Sequence, residues 1–327
     1  MTAHRARSAG AATPQGLSYG EAAPAVPRVA EGLNHPMASV TSVEGLAPGD
    51  HACLTFSDPD ERLDIVSAFV RDGIEGYAKV VCLTEALSPE RLEAELADRG
   101  VPVAGELPPG QLTVAGSERP LLASGMITAT ELVERLGRLV DESAREGFAG
   151  LRFTVDMSWA TRPGAAADQL PVFERAVSKL FADGRLTAIC QYDRETFDAV
   201  TLAVAAEAHP RAVAATVYHE DPVLRICRQH SPPGLRVAGE IDFSRVEPLA
   251  VGLTEALRLN GGDVQVNLAR LRFIDGAAAA VILQTALARP PGHSVTVVCR
   301  DPVRRTLKLL GADELPALRL LGVPGDA

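Results

Sequence analysis

His51-Ala52-Cys53-Leu54-Thr55-Phe56-Ser57-Asp58-Pro59-Asp60-Glu61 is the stretch on which the fold turns. Its first six residues form an apolar-rich run ending in a turn cluster, which reads as a strand. Arg62 to Asp72 follows as an amphipathic helix with Leu63, Val66, Phe69 and Val70 on one face, and Ala78 to Leu83 is a buried strand. Nucleotide-binding α/β folds place a phosphate loop in this order of strand, loop, helix and strand, with Gly backbone N–H groups and a Lys on the phosphates. Here the loop of residues 57–61 has neither Gly nor Lys, and Asp58, Asp60 and Glu61 would repel a triphosphate. The three lysines, Lys79, Lys179 and Lys308, follow Ala78, Ser178 and Leu307, so no Gly-Lys pair exists anywhere. ATP hydrolysis through such a loop is excluded.

Outward from this stretch, strands and helices keep alternating. Helices are expected at Pro89–Asp98 with Ser88 as N-cap, Thr128–Glu146, Leu170–Phe181 and Glu195–Glu207. Strands are expected at Gln111–Ala115, Leu151–Val155 and Leu186–Cys190. That alternation implies a mostly parallel sheet covered on both faces. A break at Tyr218-His-Glu-Asp-Pro222 opens a smaller unit. Its expected strands are Val223–Cys227, Leu235–Gly239, Val264–Leu268 and Ser294–Cys299, and its helices Val246–Leu259, Gly276–Leu287 and Pro302–Leu310. The division is therefore a disordered Ala/Pro/Gly-rich tail over 1–45, a first domain over 46–222 and a second over 223–327.

Bulk properties narrow the class of function. Of the 327 residues, 42 are acidic and 32 basic, a net charge of −10 with no basic cluster. Phosphate-backbone binding draws on clustered Lys and Arg, so neither nucleic acid nor an anionic membrane is expected as a partner. Five isolated cysteines without a C-x-x-C pair argue against a disulfide framework and fit a reducing cytoplasm. Neither a signal peptide nor an apolar stretch long enough to span a bilayer is present in the sequence.

Four stretches of the first domain carry a resemblance: His51-Ala-Cys53, Gly73 to Thr84, Asp156-Met-Ser-Trp159 and Ile189-Cys-Gln-Tyr-Asp193. Together they resemble the MEDS-type sensory domain of methanogen, methylotroph and dichloromethane-regulator proteins. The resemblance implies a RecA/KaiC-like parallel sheet lacking a P-loop, and a role in sensing a small-molecule ligand. Open α/β sheets bind ligands outside the carboxyl ends of their strands. Candidate ligand-binding residues are therefore Ser57, Asp58, Thr84, Glu85, Asp156, Trp159, Gln191 and Asp193, with His51 added; the plainer reading makes them helix caps and loop residues. His51 and Cys53 point to one face of a strand, and with Cys190 or His209 they could build a zinc site. Loose Cys/His spacing favours instead a buried Cys beside a satisfied His, so neither metal nor cofactor is expected.

Gly239-Glu-Ile-Asp242, the Val264–Leu268 strand and Phe273-Ile-Asp275 form a second series, which resembles the STAS domain of anti-sigma factor antagonists. In phosphorylatable members Asp-Ser-Ser-Gly opens the second helix, and its second Ser accepts a phosphoryl group from a partner kinase. Alignment on Asp275 puts Gly276, Ala277 and Ala278 in the remaining places, with Ala277 at the acceptor position. Ala has no hydroxyl, so the phosphorylation switch is absent. The resemblance implies a partner surface of Asp242, Asp275, Gly276, Ala277 and Ala278, and a partner that is an anti-sigma factor or other kinase-fold regulatory protein. A cytoplasmic regulatory protein, not an enzyme, is the function expected. The alternatives are a metal- or carboxylate-dependent enzyme in the first domain, or a scaffold that oligomerises through the second.

Overall fold

The computed structural model describes residues 39–102, 104–117, 128–162 and 170–323; the expected tail as far as residue 38 lies outside them. The first domain is built from β1 (Ser39–Thr41), β2 (His51–Phe56), α1 (Pro59–Glu75), β3 (Lys79–Thr84), α2 (Pro89–Asp98) and β4 (Leu112–Gly116). It continues with α3 (Ala129–Arg145), β5 (Leu151–Asp156), α4 (Leu170–Val177), β6 (Leu186–Asp193), α5 (Ala199–Ala208) and β7 (Arg211–Val213). Seven strands join in the order β1-β7-β2-β6-β5-β3-β4, and every pairing is parallel.

Each central strand is buried on both faces, which is why its sequence reads as a continuous apolar run. Leu54, Val80 and Cys82 face α1 and α2, packing with Phe69, Val70, Leu92 and Leu96. Cys53, Leu83 and Val155 face the other way, toward Leu132 and Leu136 of α3 and Phe173 and Val177 of α4. Asp58 caps α1 by accepting from the Asp60 N–H, and Pro59 pre-sets the first turn. Thr128 and Glu131 close a capping box at the start of α3. The segment read as a phosphate-loop equivalent is thus shortened: the helix starts at Pro59, not Arg62. α5 likewise begins at Ala199, on the Asp198 cap, rather than at Glu195.

The second domain contains β8 (Val217–Glu220), β9 (Leu224–Gln229), β10 (Gly234–Ile241), α6 (Val246–Asn260), β11 (Val264–Ile274), α7 (Gly276–Leu287), β12 (Val295–Cys299), α8 (Asp301–Leu309) and β13 (Leu318–Leu321). Its sheet order is β13-β12-β11-β10-β9-β8, parallel from β13 to β10 and antiparallel from there to β8. This sheet takes in β8, upstream of residue 223, and β1 lies within the stretch read as tail. Leu235, Val237, Val266 and Leu268 pack beneath α6, α7 and α8. Gly239 sits at a register shift in β10 with φ +105°, and a Cβ there would meet the Val223 carbonyl oxygen at 1.9 Å. Only glycine meets both demands. Among the described residues no helix is long and apolar enough to cross a membrane.

Candidate functional site

Thr84, Asp156, Gln191 and Asp193 end their parallel strands, and Ser57 follows β2, so the structure gathers these expected residues along one edge of the sheet. At the centre of this edge is Arg62, which is 4% exposed on the second turn of α1. Its Nη2 donates to Asp156 Oδ2 at 2.9 Å and its Nε to Gln191 Oε1 at 2.5 Å. Gln191 Nε2 in turn donates to Thr154 Oγ1 at 2.7 Å, and the N–H groups of Ala86 and Ser158 complete the shell of Asp156. Burial alone would raise the Asp156 carboxyl, but the Arg62 guanidinium and these N–H groups hold it below its ordinary range. Thr84 donates to Leu87 O, while Glu85 pairs with Arg162 and accepts from Ser117 Oγ. Asp193 caps the turn after β6 through the Glu195 N–H. Asp156 is therefore satisfied by the chain's own Arg62, a partner the sequence reading missed.

Beside this edge, the acidic start of α1 turns outward onto the second domain. Asp58 Oδ2 lies 3.2 Å from Arg270 Nε, Asp60 pairs with Arg236 and with Arg99, and Glu61 pairs with Arg225. One turn further on, Asp64 accepts from the backbone N–H groups of His230 (2.8 Å) and Ser231 (2.7 Å) and from His230 Nδ1 (2.9 Å). Glu44 closes the set, 3.1 Å from His230 Nε2. Burial would lower His230, but Asp64 and Glu44 outweigh it and lift the imidazole to about 9. Carboxylates that would repel a triphosphate instead clamp two domains together. Between them is a cavity of about 350 Å³, reached by Ser57, Asp58, Arg194, Arg225, Arg236 and Arg270. Arg225, Arg236 and Arg270 were invisible as a group because β9, β10 and β11 bring them together from distant positions.

His51 and Trp159 do not belong to that edge. His51 starts β2, at the end opposite Ser57, and Trp159 turns back into the core at 6% exposure. Both line a small apolar cavity of about 20 Å³ under α3 and α4. There His51 meets Glu174, Cys190 and His209, all buried, with one donor atom from each lying within 4.8 Å of the others. Cys53 is not in this group; its thiol faces the Arg211 carbonyl. Burial pushes the His51 imidazole well down and the Glu174 carboxyl and Cys190 thiol up. The sequence pointed to three of the four; Glu174, read as one more residue of an amphipathic helix, was missed.

In the second domain, Asp275 caps α7 through the Ala278 N–H (2.9 Å) and binds the Phe243 N–H (2.8 Å), joining the helix start to the turn after β10. Asp242 caps that turn through Ser244. Gly276 and Ala277 are exposed, but Ala278 is fully buried against the core. Ala278 thus supports the surface from beneath, because it lies on the inward face of the helix. Phe243 (76% exposed) and Phe273 (51%) flank the helix start. Two exposed aromatics thus lie beside small residues at one place on the surface.

Residues 50–210 match the family described as MEDS, the MEthanogen/methylotroph, DcmR Sensory domain. Residues 224–321 match the family described as Mlab, STAS domain. No curated protein matches the chain. Among solved structures it is similar to an anti-sigma factor antagonist from Mycobacterium paratuberculosis, with 20% identity over 32% of this chain and 84% of that one, at TM-score 0.26. It is also similar to a KaiC-like protein from Pyrococcus horikoshii OT3, with 12% identity over 59% of this chain and 85% of that one, at TM-score 0.40. The chain joins a MEDS sensory domain to a STAS domain, the composition of a regulatory protein.

Proposed function

We propose that the protein works in the cytoplasm as a ligand-responsive antagonist, its STAS domain binding an anti-sigma factor or other kinase-fold regulator through the start of α7. The observation that carries this reading is the exposed Gly276-Ala277 step, set between Phe243 and Phe273 and lacking any hydroxyl. In a phosphorylatable helix start the added charge of nearly −2 breaks the interface by repulsion and desolvation. Without it the surface stays competent, and control passes to the sensory domain. A small polar ligand entering the interdomain cavity would compete with the pairs made by Asp58, Glu61 and their arginines. Such a ligand shifts the equilibrium between docked and undocked domains by its differential affinity for the two.

Ala277→Glu tests the surface. Ala277 is exposed in the first turn of α7, where a carboxylate favours the helix by about 0.3–1 kcal/mol. The variant is expected to fold with unchanged or slightly raised stability while its affinity for the partner falls at least ~10-fold, as for an interface hot spot. Titration of full-length wild type and variant against purified kinase-fold anti-sigma factors from the same organism reads this directly. Equal affinities would remove the start of α7 from the interface.

A further inference from the structure

We infer that His51, Glu174, Cys190 and His209 form a closed site for one zinc-class divalent ion, which staples the core of the sensory domain. The site is independent of the partner surface on α7. His51 comes from β2, Cys190 from β6, Glu174 from α4, and His209 from the end of α5. Two imidazoles, a thiolate and a carboxylate are a donor set that zinc accepts tetrahedrally, with bonds of about 2.0–2.3 Å and hence donor–donor edges of about 3.3–3.8 Å. His51 Nε2 lies 3.5 Å from Cys190 Sγ and 3.5 Å from Glu174 Oε2, and His209 Nε2 lies 3.5 Å from the same carboxylate oxygen. The remaining edges are longer, up to 4.8 Å, and would shorten as an ion draws the donors inward.

A second observation is what is left unpaired. Glu174 Oε2 and His209 Nε2 are buried and have no hydrogen-bond partner, and both are aimed into the group. Buried polar atoms are rarely abandoned in this way. Their other ends, by contrast, are held as the outer partners of a metal site usually are. His209 Nδ1 lies 2.6 Å from the Ala205 carbonyl, which fixes the proton there and leaves Nε2 its lone pair. Tyr192 Oη donates to Glu174 Oε1 at 2.8 Å, which leaves Oε2 free to bind. The His51 ring is stacked on Phe181 at 4.4 Å, although its Nδ1 has no partner. On ion entry the Cys190 thiol gives up its proton to solvent, and its thiolate joins the Glu174 carboxylate on the ion. The resulting two negative charges balance the dication, so the loaded site is neutral in a dry core.

Full-length protein without an affinity tag, stripped by chelator under reducing conditions and titrated with cobalt(II), tests the site. The expected result is saturation at one equivalent, with the visible absorption of a tetrahedral ion and a thiolate charge-transfer band. Cys190→Ser should abolish that band, His209→Ala should weaken cobalt binding by at least ~100-fold, and Cys53→Ser should change neither. Absence of the tetrahedral spectrum from folded wild-type protein would overturn the assignment, even if the ligand variants fail to fold. So would a charge-transfer band that survives in Cys190→Ser or disappears in Cys53→Ser.

Discussion

Arg62→Met is expected to destabilise the sensory domain by about 3–5 kcal/mol, the cost of breaking a buried ion pair by removing one member. Asp156 would be left at 1% exposure without its cation, and Gln191 would lose the donor that orients it. The guanidinium also lies over the Phe56 ring, 4.9 Å from its centroid, so packing is lost along with charge. Adding Asp156→Asn should recover part of the loss, because it removes the stranded charge while its one amide oxygen still accepts from the Ala86 or the Ser158 N–H. Denaturant midpoints of wild type, both single variants and the double variant give the coupling energy. Additive losses would mean that Arg62 and Asp156 are not the closed pair described above.

Asp64→Ala is the counterpart at the domain junction. One carboxylate accepts from two backbone N–H groups and one imidazole, and all of them belong to the second domain. Truncation strands those donors at a buried contact, for an expected loss of about 3–5 kcal/mol. The same contact makes stability depend on alkali. The folded His230 pKa of about 9 lies above its ordinary 6.5, so this contribution is fully present below 6.5 and is lost as pH rises through 9. At about 1.4 kcal/mol per pH unit it amounts to about 3 kcal/mol. Wild-type stability should fall by about that much between pH 6.5 and 9.5, a decline that Asp64→Ala should reduce to the part carried by Glu44. A wild-type profile without the decline would show that His230 is not held as the imidazolium.

What the sequence disclosed and what it hid follow from range. Val80 to Leu83 and Leu186 to Cys190 are buried on both sides, so their apolar runs mark central strands without knowledge of their neighbours. The edge strands β1 and β13, and β7 next to β1, have only three or four residues and exist because a neighbour offers hydrogen bonds; no periodicity announces them. The alanines of α7 and its Asp275 cap were legible because a cap acts within one turn. Arg225, Arg236 and Arg270 each look like an ordinary polar position in a strand, and only strand pairing collects them against α1. Glu174 was hidden for the same reason: its partners lie far away in sequence, at His51 and His209.

On the function proposed above, the STAS surface binds a kinase-fold regulator without being switched by phosphorylation. The most direct measurement is a titration of the full chain against purified kinase-fold anti-sigma factors of its own organism, with and without magnesium-ATP, followed by intact-mass analysis of the chain. The expected result is a complex whose affinity is the same in both conditions and a chain that gains no phosphate. An ATP-dependent loss of the complex with a phosphate added to the chain, or no complex with any of these proteins, would contradict it.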